Sequence, residues 1–213
     1  IEKSGMEFSV EYLGDSAGGG ELLESTRSKI NKVLGIPPLY AVLSGIAVGT
    51  AFGIKIADSA KSLEKFSVPK NRLELSKGVK NTIIINDSYN SSPVACEAAL
   101  DLLSKFKKQR KIAVLGSMRE LGKNTEEAHR MIGKKASKIS DIVFLVGDET
   151  VFAREEAEKS GKKNGVDLFW FDTALSAAKK VQQVLLEGDV VLIKGSRSIK
   201  MEAVVDEIRM LGH

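Results

Sequence analysis

From Thr82 onward the chain alternates between short apolar runs and longer amphipathic stretches. Runs rich in β-branched residues fall at 82–86, 111–116, 141–147, 167–171 and 189–194. Continuous apolar runs of this length, bounded by polar residues, suit strands buried on both faces of a parallel sheet. Each precedes a helical pattern, at 93–107, 124–138, 150–162, 173–187 and 198–211. Five βα units with no hairpin signal between them predict an α/β fold, a Rossmann-like doubly wound and mostly parallel sheet with helices on both faces.

Residues 1–76 are less regular and read as a partial α/β segment. Phe8, Val10 and Tyr12 alternate as in a strand, and the glycine-rich 14–20 is a loop by composition. Glu21 to Leu34 is helical by propensity, Pro37-Pro38 is a break, Leu39 to Phe52 reads as a buried helix and Ile56 to Phe66 as a shorter amphipathic one. Ser76-Lys77-Gly78 then marks the boundary between a first domain, 1–76, and a second, 77–213. With a glycine, two lysines and no apolar run, 76–80 is expected to be an exposed hinge.

Composition narrows the function classes. Hydrophobic residues make up 43% of the 213 and charged ones 28%, enough for a globular core. The net charge of +4 is small and its lysines and arginines are interspersed with acids, so nothing favours nucleic acid. The single cysteine, Cys96, precludes an internal disulfide and falls on an apolar helical run, as a core residue would. Two distant histidines suggest no metal cluster. The first residues have no signal-peptide pattern and no initiator methionine, so the chain reads as a piece of a longer one. The stretch nearest to a membrane span, Leu39 to Ile56, is interrupted by Ser44, Thr50, Lys55 and glycines.

The candidate chemistry lies where apolar runs end, because ligands of open α/β sheets sit at the carboxyl ends of the strands. After Ile83-Ile84-Ile85 comes Asn86-Asp87-Ser88-Tyr89-Asn90, and then Ser92-Pro93, a capping residue followed by proline at the first helical position. After the second run comes Gly116-Ser117-Met118-Arg119-Glu120-Leu121-Gly122, a tight turn in which Arg119 and Glu120 supply charge. Lys194-Gly195-Ser196-Arg197 follows the last run, offering cations and backbone amides to an anion. Glu202 belongs to the helix that follows. His129 lies in a charged run, where a lone histidine is a surface or capping residue. Arg72, isolated just before the boundary, is solvated by default. Neither GxxxxGK[ST] nor GxGxxG occurs in the chain.

These motifs resemble those of the Mur ligase family, in its branch that adds D-alanyl-D-alanine to UDP-N-acetylmuramoyl-tripeptide. Asp87-Ser88-Tyr89-Asn90 with Pro93 resembles DSYNxxP, and Gly116 to Gly122 resembles GxMxELG, with Ser117 where aspartate is usual. EEAHRMIG around His129 is similar to the family's pattern, KGSRSIKME to its KGSRxxxME, and Asn71-Arg72-Leu73-Glu74 to its GRLE. The order of the motifs carries more weight than any one of them. The resemblance implies that 77–213 is the family's C-terminal domain and 1–76 the tail of its central ATPase domain. Pro37, Pro38 and Ala41 stand where the family has GxHNxxNxLAA, so its adenine contacts are not carried over.

For the full-length protein the resemblance implies ATP-dependent amide formation in cytoplasmic peptidoglycan synthesis, and hence in cell-wall biogenesis, shape and division. The substrates would be UDP-N-acetylmuramoyl-tripeptide and D-alanyl-D-alanine, and the cofactors ATP and Mg2+. A substrate carboxylate attacks the γ-phosphate, and the dipeptide amine opens the acyl phosphate. Arg72, Asp87 and Asn90 would meet the nucleotide, with Arg72 on its phosphates. Tyr89, Lys194, Ser196, Arg197 and His129 would line the substrate side. No residue here is assigned a catalytic or metal-binding role, and without the phosphate-gripping lysine loop the chain alone should be inactive. Two rival readings stand on the residues alone: a non-catalytic α/β module for a small anionic ligand, and an interaction domain whose loops are merely structural. A GxxxGKT[ST] motif upstream of Ile1 would decide for the ligase.

Overall fold

The computed structural model describes residues 5–14, 21–31 and 35–210. They divide into two compact units, Ile1–Val68 and Pro69–His213.

In the first unit β1 (Gly5–Gly14) pairs antiparallel with β2 (Glu21–Asn31), with a bulge at Tyr12/Leu13. The helix expected from Glu21 is therefore a strand. Glu, Leu, Arg and Lys favour helix only weakly, and cross-strand pairing overrides them. The period is two: Glu24, Thr26, Ser28 and Ile30 are the more buried set, and Leu23, Ser25, Arg27 and Lys29 are exposed. The loop expected at 14–20 lies, apart from Gly14, outside the described residues.

Pro37-Pro38 does not interrupt the next helix but opens it, because α1 (Ile36–Ala51) has proline in its first turn, where no amide partner is needed. Nor is α1 buried as expected, since only Val42 and Ile46 are inside while Tyr40, Val48 and Phe52 are exposed. In α2 (Ile56–Leu63) the first amides donate to the Glu24 carboxylate, from Ile56 at 3.3 Å and Ala57 at 3.4 Å. Ile30, Val42, Ile46, Ile56 and Ala60 form this unit's core.

The second unit contains the anticipated parallel strands β4 (Ile83–Asp87), β5 (Lys111–Gly116), β6 (Ile142–Val146), β7 (Leu168–Phe171) and β8 (Val190–Lys194). A further strand, β3 (Glu74–Lys77), pairs antiparallel with β4 at the edge, giving the order β3-β4-β8-β5-β6-β7. The helices are α3 (Pro93–Ser104), α4 (Thr125–Ile139), α5 (Val151–Lys159), α6 (Ala174–Val184) and α7 (Glu202–Ile208). Ser92 caps α3 by accepting from the Ala95 amide at 3.4 Å, with Pro93 behind it.

From β4 to β7 the chain advances in one direction, and β8 then returns to insert between β4 and β5. Right-handed crossovers accordingly place α3, α4 and α5 together on one face, and α6 with α7 on the other. Ile84, Ile112, Val114, Phe144, Val191 and Ile193 pack with α6 and α7, while the alternate residues Ile85, Ala113, Leu115, Leu145 and Leu192 are buried on the opposite side. Each of these side chains larger than alanine contributes about 1.5–3 kcal/mol on burial.

The expected boundary and hinge at 76–80 are corrected by this sheet. Ser76 and Lys77 are paired with Ile84 and Ile83, and the Lys77 carbonyl accepts from the Met210 amide at 3.3 Å. Gly78 is buried, and a methyl there would lie 2.8 Å from the Ile208 carbonyl oxygen. The segment is ladder, not linker, and the units divide at Val68/Pro69 instead. Among the described residues no helix is long and apolar enough to cross a membrane.

Candidate functional site

The insertion of β8 beside β4 sets Asp87 opposite Lys194 in register, at the carboxyl ends of both strands. Their side chains, 13% and 2% exposed, form an ion pair of 2.7 Å between Lys194 Nζ and Asp87 Oδ2. The other carboxylate oxygen accepts from the Leu73 amide at 3.1 Å, and Lys194 also donates to the Asn90 carbonyl at 2.8 Å. Three chain segments are thus tied at one buried point. Asp87 and Lys194, both expected to touch ligand, spend their polar atoms on each other and on the backbone.

The segment Asn71 to Glu74 is fastened to the same loop from a second direction. Asn86, fully buried, donates to Asn71 Oδ1 at 2.9 Å and to Glu74 Oε2 at 3.3 Å, and its own oxygen accepts from the Ser88 hydroxyl at 2.7 Å. The Tyr89 amide donates to the Asn71 carbonyl at 3.1 Å. Asn71 and Leu73 hold φ values of 63° and 51°, sparsely populated for residues with a Cβ, and persist because these bonds over-determine them. What this architecture presents outward is Arg72. Its guanidinium lies 4.3 Å from the centroid of the Tyr89 ring, and that of Arg197 lies 6.0 Å from the same ring. Both arginines and Tyr89 are exposed, and Arg197 also pairs with Glu202 at 3.1 Å. Asn90, the next residue after Tyr89, is exposed, and its Oδ1 accepts from the Ser91 amide at 2.8 Å.

The Gly116–Gly122 turn adjoins β8 from the other side. The Ser196 amide donates to the Ser117 carbonyl at 3.0 Å, and the Arg119 amide donates to Ser196 Oγ at 2.8 Å. Ser196 is therefore an internal fastening, 4% exposed, and not a free ligand contact. Ser117 is fully buried, and its Oγ would lie 2.7 Å from a methyl on Gly147, so position 147 has no room for a Cβ beside it. Arg119 grips Asp148 at 2.7 Å and Glu149 at 3.1 Å. The guanidinium's hydrogen bond holds the Asp148 carboxyl below the usual carboxylate range.

His129 is not the surface residue its charged neighbours suggested. It is 2% exposed, its Nε2 accepts from the Met118 amide at 3.0 Å, and its Nδ1 lies 2.7 Å from the Thr125 carbonyl. It lies behind the turn, so the direct substrate contact expected of it has no geometric support. Cys96 is a core residue as anticipated, and burial pushes its thiol up to about 12.

Arg72, Tyr89, Asn90 and Arg197 thus converge on one exposed edge, while Asp87, Lys194, Ser196 and His129 support it from within. Two exposed guanidiniums beside an aromatic plate suit phosphate oxygens and a planar ring. A divalent cation is not matched: among the described residues no three His, Cys, Asp or Glu side chains gather, and both oxygens of Asp87 are engaged. Reading residues one by one missed Asn71, Asn86 and the acids at 148–149. A buried-strand pattern that ends in two consecutive polar residues, Asn86-Asp87, was the available signal for Asn86.

Fold and edge together define a Rossmann-like α/β domain with an arginine-bearing rim at the ends of β4 and β8. The family model described as "Mur ligase, glutamate ligase domain" matches residues 71–197, more than half of the chain, and the chain belongs to that family. The UDP-N-acetylmuramoyl-tripeptide–D-alanyl-D-alanine ligase of Bacillus subtilis is 36% identical over 179 residues, covering 83% of this chain and 38% of that protein. The ligase of the same name from Haemophilus influenzae is 30% identical over 216 aligned positions, covering 97% of this chain and 45% of its own length. The chain therefore spans less than half of these relatives. In fold it is similar to the MurF ligase of Thermotoga maritima in complex with ADP, with a TM-score of 0.70, 23% identity, and coverage of 93% of this chain and 45% of that one. A MurF structure from Acinetobacter baumannii gives 0.73 at 24% identity, covering 86% and 40%.

Proposed function

We propose that this chain is the carboxyl-terminal part of a cytoplasmic ATP-dependent ligase that joins D-alanyl-D-alanine to UDP-N-acetylmuramoyl-tripeptide in peptidoglycan synthesis. The supporting observation is that Arg72, Tyr89 and Arg197, from three separate motifs, stand at one exposed edge. Amide formation from a carboxylate requires that one oxygen become a leaving group. The tripeptide carboxylate takes the γ-phosphoryl group of ATP with loss of ADP, and the dipeptide amine then displaces phosphate and loses its proton. This chain's part is to bring a preset edge to those reactants. Arg72 and the exposed Asn90 would meet the nucleotide, with Arg72 matching phosphate oxygens bidentately. Tyr89 and Arg197 would meet the dipeptide side, where a guanidinium suits a terminal carboxylate. Asp87 and Lys194 keep these groups in place, a role inside the edge and not on it. Magnesium, if it serves the phosphoryl transfer, would be held by residues outside this chain, which also lacks a phosphate-gripping lysine loop.

The test uses the full-length parent. Arg72→Ala and Arg197→Ala should each cost about 2–4 kcal/mol of transition-state stabilisation, a roughly 30- to 1,000-fold fall in kcat/KM. The 213-residue chain by itself should turn over no ATP. Parent-like kinetics for both variants, or steady ATP hydrolysis by the chain alone, would overturn the reading.

A further inference from the structure

We infer that His129, held as a neutral Nδ1–H tautomer between Thr125 and Met118, is a positioning residue that sets the β5–α4 turn and, through Ser196, the placement of Arg197. The inference rests on the ligase reading only for what Arg197 touches. The tautomer follows from the partners. The Thr125 carbonyl can only accept, so Nδ1 at 2.7 Å carries the hydrogen; the Met118 amide can only donate, so Nε2 at 3.0 Å is bare. An imidazolium would set N–H against N–H in a buried site.

The consequence travels a short way through the backbone. The residues on either side of Met118 clamp Ser196, Ser117 through its carbonyl and Arg119 through its amide, at 3.0 and 2.8 Å. Arg197 is the next residue, within 6.0 Å of the Tyr89 ring. Moving the Met118 amide therefore moves both fastenings of the residue before Arg197. An ordinary core histidine makes no such link between a helix and a ligand-facing loop.

Burial pushes the His129 pKa below its ordinary value. Of the charges facing it, Glu149 and Asp148 after β6 oppose that shift and Arg119 on the turn adds to it, and both acids are paired with Arg119. On its own helix the nearby Glu126 and Arg130 are bonded together at 2.8 Å. The latch is thus closed at neutral pH and opens in acid. The sign for folding is the same: with the folded pKa lowered, stability is complete above the ordinary histidine pKa. It is lost as pH falls through that value and levels off below the folded pKa.

The experiment has two readouts. On the 213-residue chain, long-range proton–nitrogen NMR should show His129 as the Nδ1–H tautomer. On acidification the amides of Met118, Arg119 and Ser196 should shift with the midpoint of the ring, below that of a free histidine. In the parent enzyme, KM for D-alanyl-D-alanine should rise in acid with that same midpoint while kcat stays level. His129→Gln, which keeps an acceptor near the Nε2 position but cannot titrate there, should hold KM within about twofold at neutral pH and abolish the acid rise. His129→Leu should raise KM roughly fivefold at every pH, the factor for one lost neutral hydrogen bond. Amides of Arg119 and Ser196 that stay still while the ring titrates would overturn the inference, as would an unchanged acid profile in the glutamine variant. If the leucine variant does not fold, the glutamine variant and the wild-type titration decide. A parent without ligase activity whose amides still move with the ring would sink the ligase reading and leave the latch standing.

Discussion

Asp87→Asn isolates what the buried pair does. The carboxylate has two duties, accepting from the Leu73 amide at 3.1 Å and from Lys194 at 2.7 Å. A carboxamide can perform one. In either flip its NH2 opposes a donor, the Leu73 amide or the Lys194 ammonium, and the ammonium, 2% exposed, loses its carboxylate partner and is left with neutral acceptors alone. Uncompensated buried charge puts the cost at about 3–5 kcal/mol, against a total stability on the order of 5–15 kcal/mol for such a domain. Lys194→Met leaves the carboxylate with the Leu73 amide and some water, since Asp87 is 13% exposed, and should fall at the lower end, about 3 kcal/mol. The double variant removes both charges and should recover about 2–4 kcal/mol relative to the sum of the singles. Urea unfolding followed by Trp170, the only tryptophan and a β7 residue of this unit, reads the transition of interest. Single variants within about 0.5 kcal/mol of the parent and strictly additive in combination would refute the argument. Asp87 would then be a hydrated group, free to meet ligand after all.

Other expectations follow from contacts of different kinds. Tyr89→Phe should keep kcat/KM of the full-length parent within about threefold, because the ring and not the hydroxyl faces the two arginines, while Tyr89→Ala should lower it at least tenfold. Cys96 should resist a thiol reagent at pH 8 until the protein is unfolded, since its thiol is pushed up to about 12 by burial; rapid native labelling would contradict the packing of α3. Gly133→Ala should cost about 1–3 kcal/mol in the same urea assay, because its methyl would lie 2.6 Å from the Ala153 Cα where α4 crosses α5.

The parallel strands were legible because burial on both faces demands unbroken apolar runs, and the Ser92-Pro93 helix start because capping is local chemistry. β3 was not. Glu74-Leu75-Ser76-Lys77 is short, half-buried and at a sheet edge, so it carries no apolar run, and the polar residues that read as a linker are ladder residues. Nor was β2, whose inward positions include Glu24, Thr26 and Ser28, so the alternation exists without hydrophobicity to mark it. The Asp87–Lys194 pair depends on two strands 107 residues apart becoming neighbours, which no local pattern encodes. His129 was within reach. Ala128, His129, Ile132, Gly133 and Ala136 form the buried stripe of α4, but its small members disguise it among lysines and glutamates.

Where the units divide changes what closure could accomplish. A boundary after Ser76 would put Arg72 on the first unit and Asp87 and Tyr89 on the second, so a domain motion would have to assemble the exposed edge. The bonds argue otherwise. The Leu73 amide ends on Asp87, the Asn71 carbonyl on the Tyr89 amide and the Asn71 side chain on Asn86, so Arg72 is fastened on both sides to the β4 loop. Holding Asn71 and Leu73 at positive φ costs on the order of 1–3 kcal/mol each, a strain sustained only where the surrounding contacts are rigid. Arg72, Tyr89 and Arg197 therefore travel as one body with the six-stranded sheet. In the ligase reading, a motion between the units would deliver this set already formed. The ordering entropy of the backbone that bears Arg72 is then met at folding and not at each turnover, which is how preorganisation serves a polar site.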